Sequence, residues 1–101
     1  MTGIEAIAKE RTEQLEKHGR TVEEDLQQNS GFPLALTKAA SSLTMQPIGL
    51  AVDFGKPTGW DEPTWLKMCS KPYKERLAIA GAFIAAEYDR ISLEENLAAS
   101  N

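Results

Sequence analysis

The chain is 101 residues long and carries a net charge of −4, with 15 acidic residues against 11 lysines and arginines. This length predicts one domain over residues 1–101 with a modest core, and we expect self-association that buries further apolar surface. The acidic balance argues against a DNA or RNA polymer as partner, because a nucleic-acid-coating surface needs clustered cations in excess. A small anionic ligand needs only a few local cations.

Cys69 is the single cysteine, so no internal disulfide framework points to an oxidising compartment. The charged N-terminus lacks the apolar stretch of a signal peptide. The longest apolar run, Ala78–Ala86, is far shorter than the roughly 20 residues that a membrane span needs. These features predict a cytoplasmic protein with no membrane partner.

The first predicted helix begins with a capping box formed by Thr2 and Glu5. Apolar positions recur at helical spacing from Ile4 onward, and Gly19 is placed to end the helix in a left-handed conformation. Thr21 repeats the capping pattern and predicts a short second helix.

A third helix is predicted at Leu34–Leu43, with Pro33 in its first turn and a narrow apolar stripe along one face. Residues 46–63 are rich in proline and glycine and show no periodicity, so we expect an irregular loop, least structured over residues 46–60. Asp61 is placed to cap a short helical turn at residues 64–68.

The last helix is predicted from about Pro72 to about Asn96. Its apolar residues surround the axis: one face has Leu77, Gly81, Ile84, Tyr88 and Ile91, and other faces have Ile79, Phe83 and Ala86. Such a helix is buried on more than one side, and we expect the second side to be another subunit. Ala82→Glu is then expected to dissociate the assembly. The fold class is all-α, with two long helices, two or three short ones, and the C-terminal helix at the core and the oligomer interface.

Two acids three residues apart, Glu10 and Glu13, share a helix face where they could hold Mg²⁺. MazG-type NTP pyrophosphohydrolases resemble this chain in being all-α and in using such a pair with a second acidic pair on a facing helix. The late helix here supplies Glu87, but Arg90 stands in place of the final acid. We therefore predict no NTP hydrolysis and no cofactor, and keep a divergent Mg²⁺-dependent hydrolase using Glu10, Glu13 and Glu87 as an alternative.

A second set combines cations with aromatic rings around the last helix. Guanidinium forks for phosphate and flat rings for base stacking are what a small nucleotide site needs. The candidate ligand-binding residues are Arg11, Trp60, Trp65, Lys71, Tyr73, Arg76 and Arg90. In the structural alternative Arg11 pairs with Glu87, the lysines are solvated and the tryptophans belong to the core.

The segments Ile7–Gln14, Lys17–Gly19 and Lys71–Pro72, and above all the motif KERLAIAGAFIAAEYDR at residues 74–90, resemble a family of small phage and prophage proteins that is sometimes labelled MazG-like. The resemblance covers nearly the whole chain, although the middle loop matches poorly. Where many relatives have Gly-Glu-Leu-Ala, this chain has Phe-Pro-Leu-Ala at residues 32–35, which removes an acid that a pyrophosphohydrolase needs.

Small helical phage proteins often act by binding, and some sequester immune signalling nucleotides, so the resemblance implies a non-catalytic protein of the bacterial host cytoplasm that binds a small nucleotide. A further alternative is an inhibitor that binds a host protein through the proline-rich loop and its two tryptophans, Trp60 and Trp65.

Overall fold

The computed structural model describes residues 1–16 and 34–100. These residues form α1 (Gly3–Glu16), α2 (Ala35–Leu43), α3 (Leu50–Phe54), α4 (Glu62–Cys69) and α5 (Tyr73–Ala99). No strand occurs in these two described ranges, which confirms the all-α prediction of two long helices with shorter ones between them. The predicted helix end at Gly19 and the short helix opening at Thr21 lie outside the described residues.

The start of α1 has the predicted capping box. The backbone N–H of Thr2 donates to the Glu5 carboxylate at 2.9 Å, and the Glu5 N–H donates to the Thr2 hydroxyl at 3.2 Å. Each side chain therefore satisfies an N–H group that the first helical turn leaves without an intrahelical partner.

The segment predicted as an irregular loop contains a helix, α3, so that part of the prediction is wrong. Five residues are too few to show a helical period, and neighbouring elements fix the turn instead. Ala51 is buried, and the backbone carbonyl of Val52 accepts a 3.0 Å hydrogen bond from the Trp65 indole N–H. The contact ties α3 to α4.

The cap predicted at Asp61 is confirmed, and the helix that follows is longer than the expected turn. The Asp61 carboxylate accepts from the Thr64 backbone N–H at 3.0 Å and from the Thr64 hydroxyl at 2.6 Å. These hydrogen bonds lower the pKa of Asp61, so the carboxylate stays ionised where it faces the positive end of the helix dipole.

The 27-residue helix α5 is the central element of the described structure. One side of it, the inner face, packs against α2 and α4 and consists of Arg76, Ile79, Ala80, Phe83, Ala86 and Arg90. The apolar members join one core cluster with Leu36, Ala39 and Leu43 of α2 and with Trp65 of α4.

Helix α1 packs against another side of α5. A Cβ at Gly81 would lie 2.5 Å from Ile7 Cδ1, so only glycine leaves room for this contact. Next to it, Ala82 is fully buried within the chain. The expectation that Ala82 lies at a subunit interface is therefore wrong, and Ala82→Glu would test the fold instead of the assembly.

Candidate functional site

Arg76, predicted to hold phosphate, is buried in the inner face of α5 with only 4% of its surface exposed. Its Nη1 donates to the carbonyl oxygens of Leu43 at 3.1 Å and Met45 at 2.7 Å. Its Nη2 donates to the Gln46 side chain at 2.9 Å, and its Nε donates to the carbonyl of Lys71 at 3.1 Å. The guanidinium thus fastens the end of α2 to the start of α5.

Arg90 is buried further along the same face, where its partners are carboxylates. Nε contacts Glu87, and Nη1 donates to Glu94 at 2.8 Å. Arg11 of α1 instead reaches across to Asp89 at 3.4 Å and to Gln14 at 3.3 Å. The structural alternative paired Arg11 with Glu87, whereas in the structure Arg11 pairs with Asp89 and Glu87 contacts Arg90.

These arginines do not surround one space. Arg76 and Arg90 are fourteen residues apart on α5, which at 1.5 Å per residue separates them by about 21 Å along the axis. Arg76 faces the end of α2, whereas both carboxylate partners of Arg90 lie on its own helix. A single compact nucleotide within one subunit cannot contact both groups.

The remaining candidates near the start of α5 are more exposed. Lys71 lies 3.7 Å from Glu75, a surface ion pair worth little in stability. The ring of Tyr73 lies 5.2 Å from the guanidinium carbon of Arg76, so this aromatic side chain packs on a cation of its own chain.

Both tryptophans belong to the interior, as the structural alternative expected. Trp65 is 1% exposed, and its indole N–H donates to the backbone carbonyl of Val52. Trp60 packs against the core, 5.2 Å from the Phe83 ring and 6.4 Å from the Trp65 ring between centroids. The Trp65 ring therefore offers no open face for base stacking or for anchoring a partner, whereas Trp60 is only partly buried.

The two acids of α1 line a groove of about 750 Å³ between α1 and the first half of α5. The charged lining residues are Lys9, Glu10, Glu13, Lys74 and Glu75. Partial burial raises the pKa of Glu10, and the charge of Glu13 raises it further. With three acids against two lysines, the groove is not electropositive and does not favour an anion.

Glu87, the third acid of the Mg²⁺-dependent alternative, lies on α5 in contact with Arg90. Across residues 1–16 and 34–100, no three histidine, cysteine, aspartate or glutamate side chains are grouped so that they could hold a metal ion. The hydrolase alternative therefore stays a prediction that rests on residue spacing.

The most prominent unpaired feature of α5 is an apolar row that we call the outer stripe: Leu77, Ile84, Tyr88 and Ile91. Their exposed fractions are 41%, 56%, 73% and 42%. The sequence predicts these residues, together with Gly81, on one face of α5 and places the contact with another subunit at Ala82, on a different face. The structure buries the row with Ile79 and Phe83 instead and leaves the outer stripe uncovered.

The sequence contains a signal for this exposed row. Leu77, Ile84 and Ile91 are spaced seven residues apart and Tyr88 falls between two of them, which is the heptad spacing of helix-to-helix seams. The inner face instead follows a denser pattern at residues 76, 79, 80, 83, 86 and 90, typical of a helix packed on a globular core.

Comparison with known proteins adds no relative: no protein-family model, no curated protein and no solved structure matches this chain. The resemblance to small phage proteins therefore stays a prediction. Among the helices of the described ranges, none combines the length and apolarity required to cross a bilayer.

Proposed function

We propose that this protein works by binding another polypeptide, without catalysing a reaction, and that the outer stripe of α5 is its contact surface. The observation that carries the proposal is the row of four large apolar side chains that stay 41–73% exposed on a helix whose inner face is fully packed. Contiguous exposed apolar surface on a small protein is typical of an interaction site.

The chemistry of the stripe indicates what it binds. Its members are aliphatic or aromatic, and they repeat with the period of a helix that packs along another helix. A partner that presents an apolar helix can bury the three aliphatic members, and the Tyr88 hydroxyl then needs a hydrogen-bond partner or contact with water. This is a protein-binding function, as one of the alternatives from the sequence held, but with α5 as the surface in place of the tryptophan-containing loop.

The nucleotide-binding hypothesis receives less support from the geometry. Arg11, Arg76 and Arg90 already bond to groups of this chain, so phosphate would have to displace carbonyls or carboxylates to reach them. Calorimetry with cyclic and ADP-ribose-type nucleotides is expected to give no binding heat. Tight binding to one of them, lost in Arg11→Gln without a change in melting temperature, would restore that hypothesis.

The proposal is tested by affinity purification of the tagged protein from the cells that naturally express it, with Ile84→Lys as the disrupted variant. Leu66→Lys is the matched control, because Leu66 is similarly exposed on α4 but lies outside the stripe. We expect a stoichiometric partner, an untagged copy of this chain included, that binds again as purified protein and is lost only with Ile84→Lys. If no purified partner requires Ile84, the proposal is wrong.

A further inference from the structure

The outer stripe is symmetric along the helix about Ile84. Leu77 precedes Ile84 by seven residues and Ile91 follows it by seven, so both neighbours are similar in size and chemistry. Resting on the proposed function, we propose that the partner is a second copy of this chain, bound with its α5 antiparallel to the first along the outer stripe.

A two-fold axis beside Ile84 gives a specific register. Ile84 meets Ile84 of the other copy, and Leu77 meets Ile91 at both ends of the seam. Tyr88, the most exposed member of the stripe, lies between these two contacts along the helix. The seam from Tyr73 to Glu95 is about 33 Å long at 1.5 Å per residue, enough for six successive helical turns.

Charge decides between antiparallel and parallel pairing. Lys74 lies beside the stripe near the start of α5, and Glu95 lies near its end; both are exposed. Within the described residues, neither side chain forms an ion pair. In the antiparallel register Lys74 of each copy comes close to Glu95 of the other. Parallel pairing would instead place Lys74 beside Lys74 and Glu95 beside Glu95, which is repulsive.

The symmetry also closes the assembly. Because both copies use the same patch, two chains satisfy this contact completely and it does not extend to a third. A chain of 101 residues has a modest core, and a shared seam of this kind adds the apolar burial that its size restricts.

The first test measures the mass of the protein in solution by sedimentation at increasing concentration. We expect a dimer that dissociates on dilution, a monomer for Ile84→Lys with unchanged helix content, and a dimer for the control Leu66→Lys. A monomer of 11.1 kDa at all concentrations, or a dimer that tolerates Ile84→Lys, would overturn the inference. A monomer that binds a different protein through Ile84 would overturn it too, but would leave the proposed function standing.

The second test fixes the orientation by charge reversal. Lys74→Glu and Glu95→Lys are each expected to weaken the dimer about tenfold, because the symmetry places two like-charge contacts in every dimer. Combining both changes restores opposite charges and should return the dissociation constant to near its original value. If the single reversals leave the dimer unaffected, the two helices are not antiparallel in this register.

Discussion

Two faces of one helix contrast in this protein, the inner face and the outer stripe of α5. The inner face contains two arginines and is buried, whereas the outer stripe carries no charge and is exposed. The presence of charged side chains therefore does not predict which of these two faces of α5 is exposed. The buried cations are tolerated because they bond to protein groups: Arg76 to three carbonyl oxygens and an amide, and Arg90 to two carboxylates.

The contrast indicates that the two faces serve different purposes. Arg76 holds the end of α2 against α5, because it donates to backbone carbonyls that are not bonded within a helix. Its role is therefore structural. Within residues 1–16 and 34–100 the outer stripe forms no comparable bonds, and under the proposal a second molecule covers it.

The largest expected difference in stability is between alanine substitutions of two adjacent residues, Phe83 and Ile84. Phe83→Ala empties a site in the core that is only 2% exposed and should lower the free energy of unfolding by about 3–5 kcal/mol. Ile84→Ala should change it by less than about 1 kcal/mol in dilute protein, where the stripe is uncovered. Urea unfolding measures both values, and equal losses would contradict the division of α5 into two faces.

The next largest difference in stability is expected between substitutions of the two buried arginines, Arg76 and Arg90. Arg76→Gln removes bonds to residues some thirty positions away in the sequence and leaves buried carbonyls unsatisfied, so we expect a loss of about 3 kcal/mol. Arg90→Gln breaks bonds only within α5 and should cost about 1–2 kcal/mol. A greater loss for Arg90→Gln in thermal unfolding would show that Arg76 does not fasten α2 to α5.

A smaller effect is expected at the capping box of α1, the helix on a third side of α5. Thr2→Ala removes the hydroxyl that accepts the Glu5 N–H and should cost about 1 kcal/mol. Thr12→Ala, at an exposed position inside the same helix, is the matched control and should be neutral or slightly stabilising. If both variants lose the same stability, the cap does not stabilise α1.

The smallest expected effect on stability is at Glu10, where the direction of its pH dependence follows from the raised pKa. Burial and the charge of Glu13 raise the pKa of Glu10, so the folded protein holds this proton more tightly than the unfolded chain does. Ionisation therefore costs stability as the pH rises from the ordinary glutamate pKa through the raised one. Glu10→Gln should raise the melting temperature at neutral pH and have no effect in acid where both forms are neutral. A lower melting temperature at neutral pH would contradict this.

Local features of the fold could be predicted from the sequence because their causes are local. The capping box at Thr2 and the cap at Asp61 each involve residues three positions apart, and both are confirmed. Helix α3 was missed because five residues show no period, and its position depends on contacts with Trp65.

The structural roles of the candidate site residues could not be predicted, because they depend on contacts with residues distant in the sequence. The acceptors that bind Arg76 are mainly backbone carbonyls, which every residue has and which leave no trace in the sequence. The outer stripe was visible as a row, but α5 has apolar residues on more than one side. Composition does not indicate which row the rest of the chain will cover.

Tyr88 is the most exposed residue of the outer stripe, and its oxidation by hydroxyl radicals in solution tests most directly whether a second copy covers the stripe. Phe83, five residues away on the inner face, is the internal reference. We expect Tyr88 to react readily in dilute protein and several-fold more slowly at about a hundredfold higher concentration, with Phe83 protected in both. If Tyr88 reacts equally at both concentrations, or is already protected in the dilute monomer, the outer stripe is not the surface that a second copy covers.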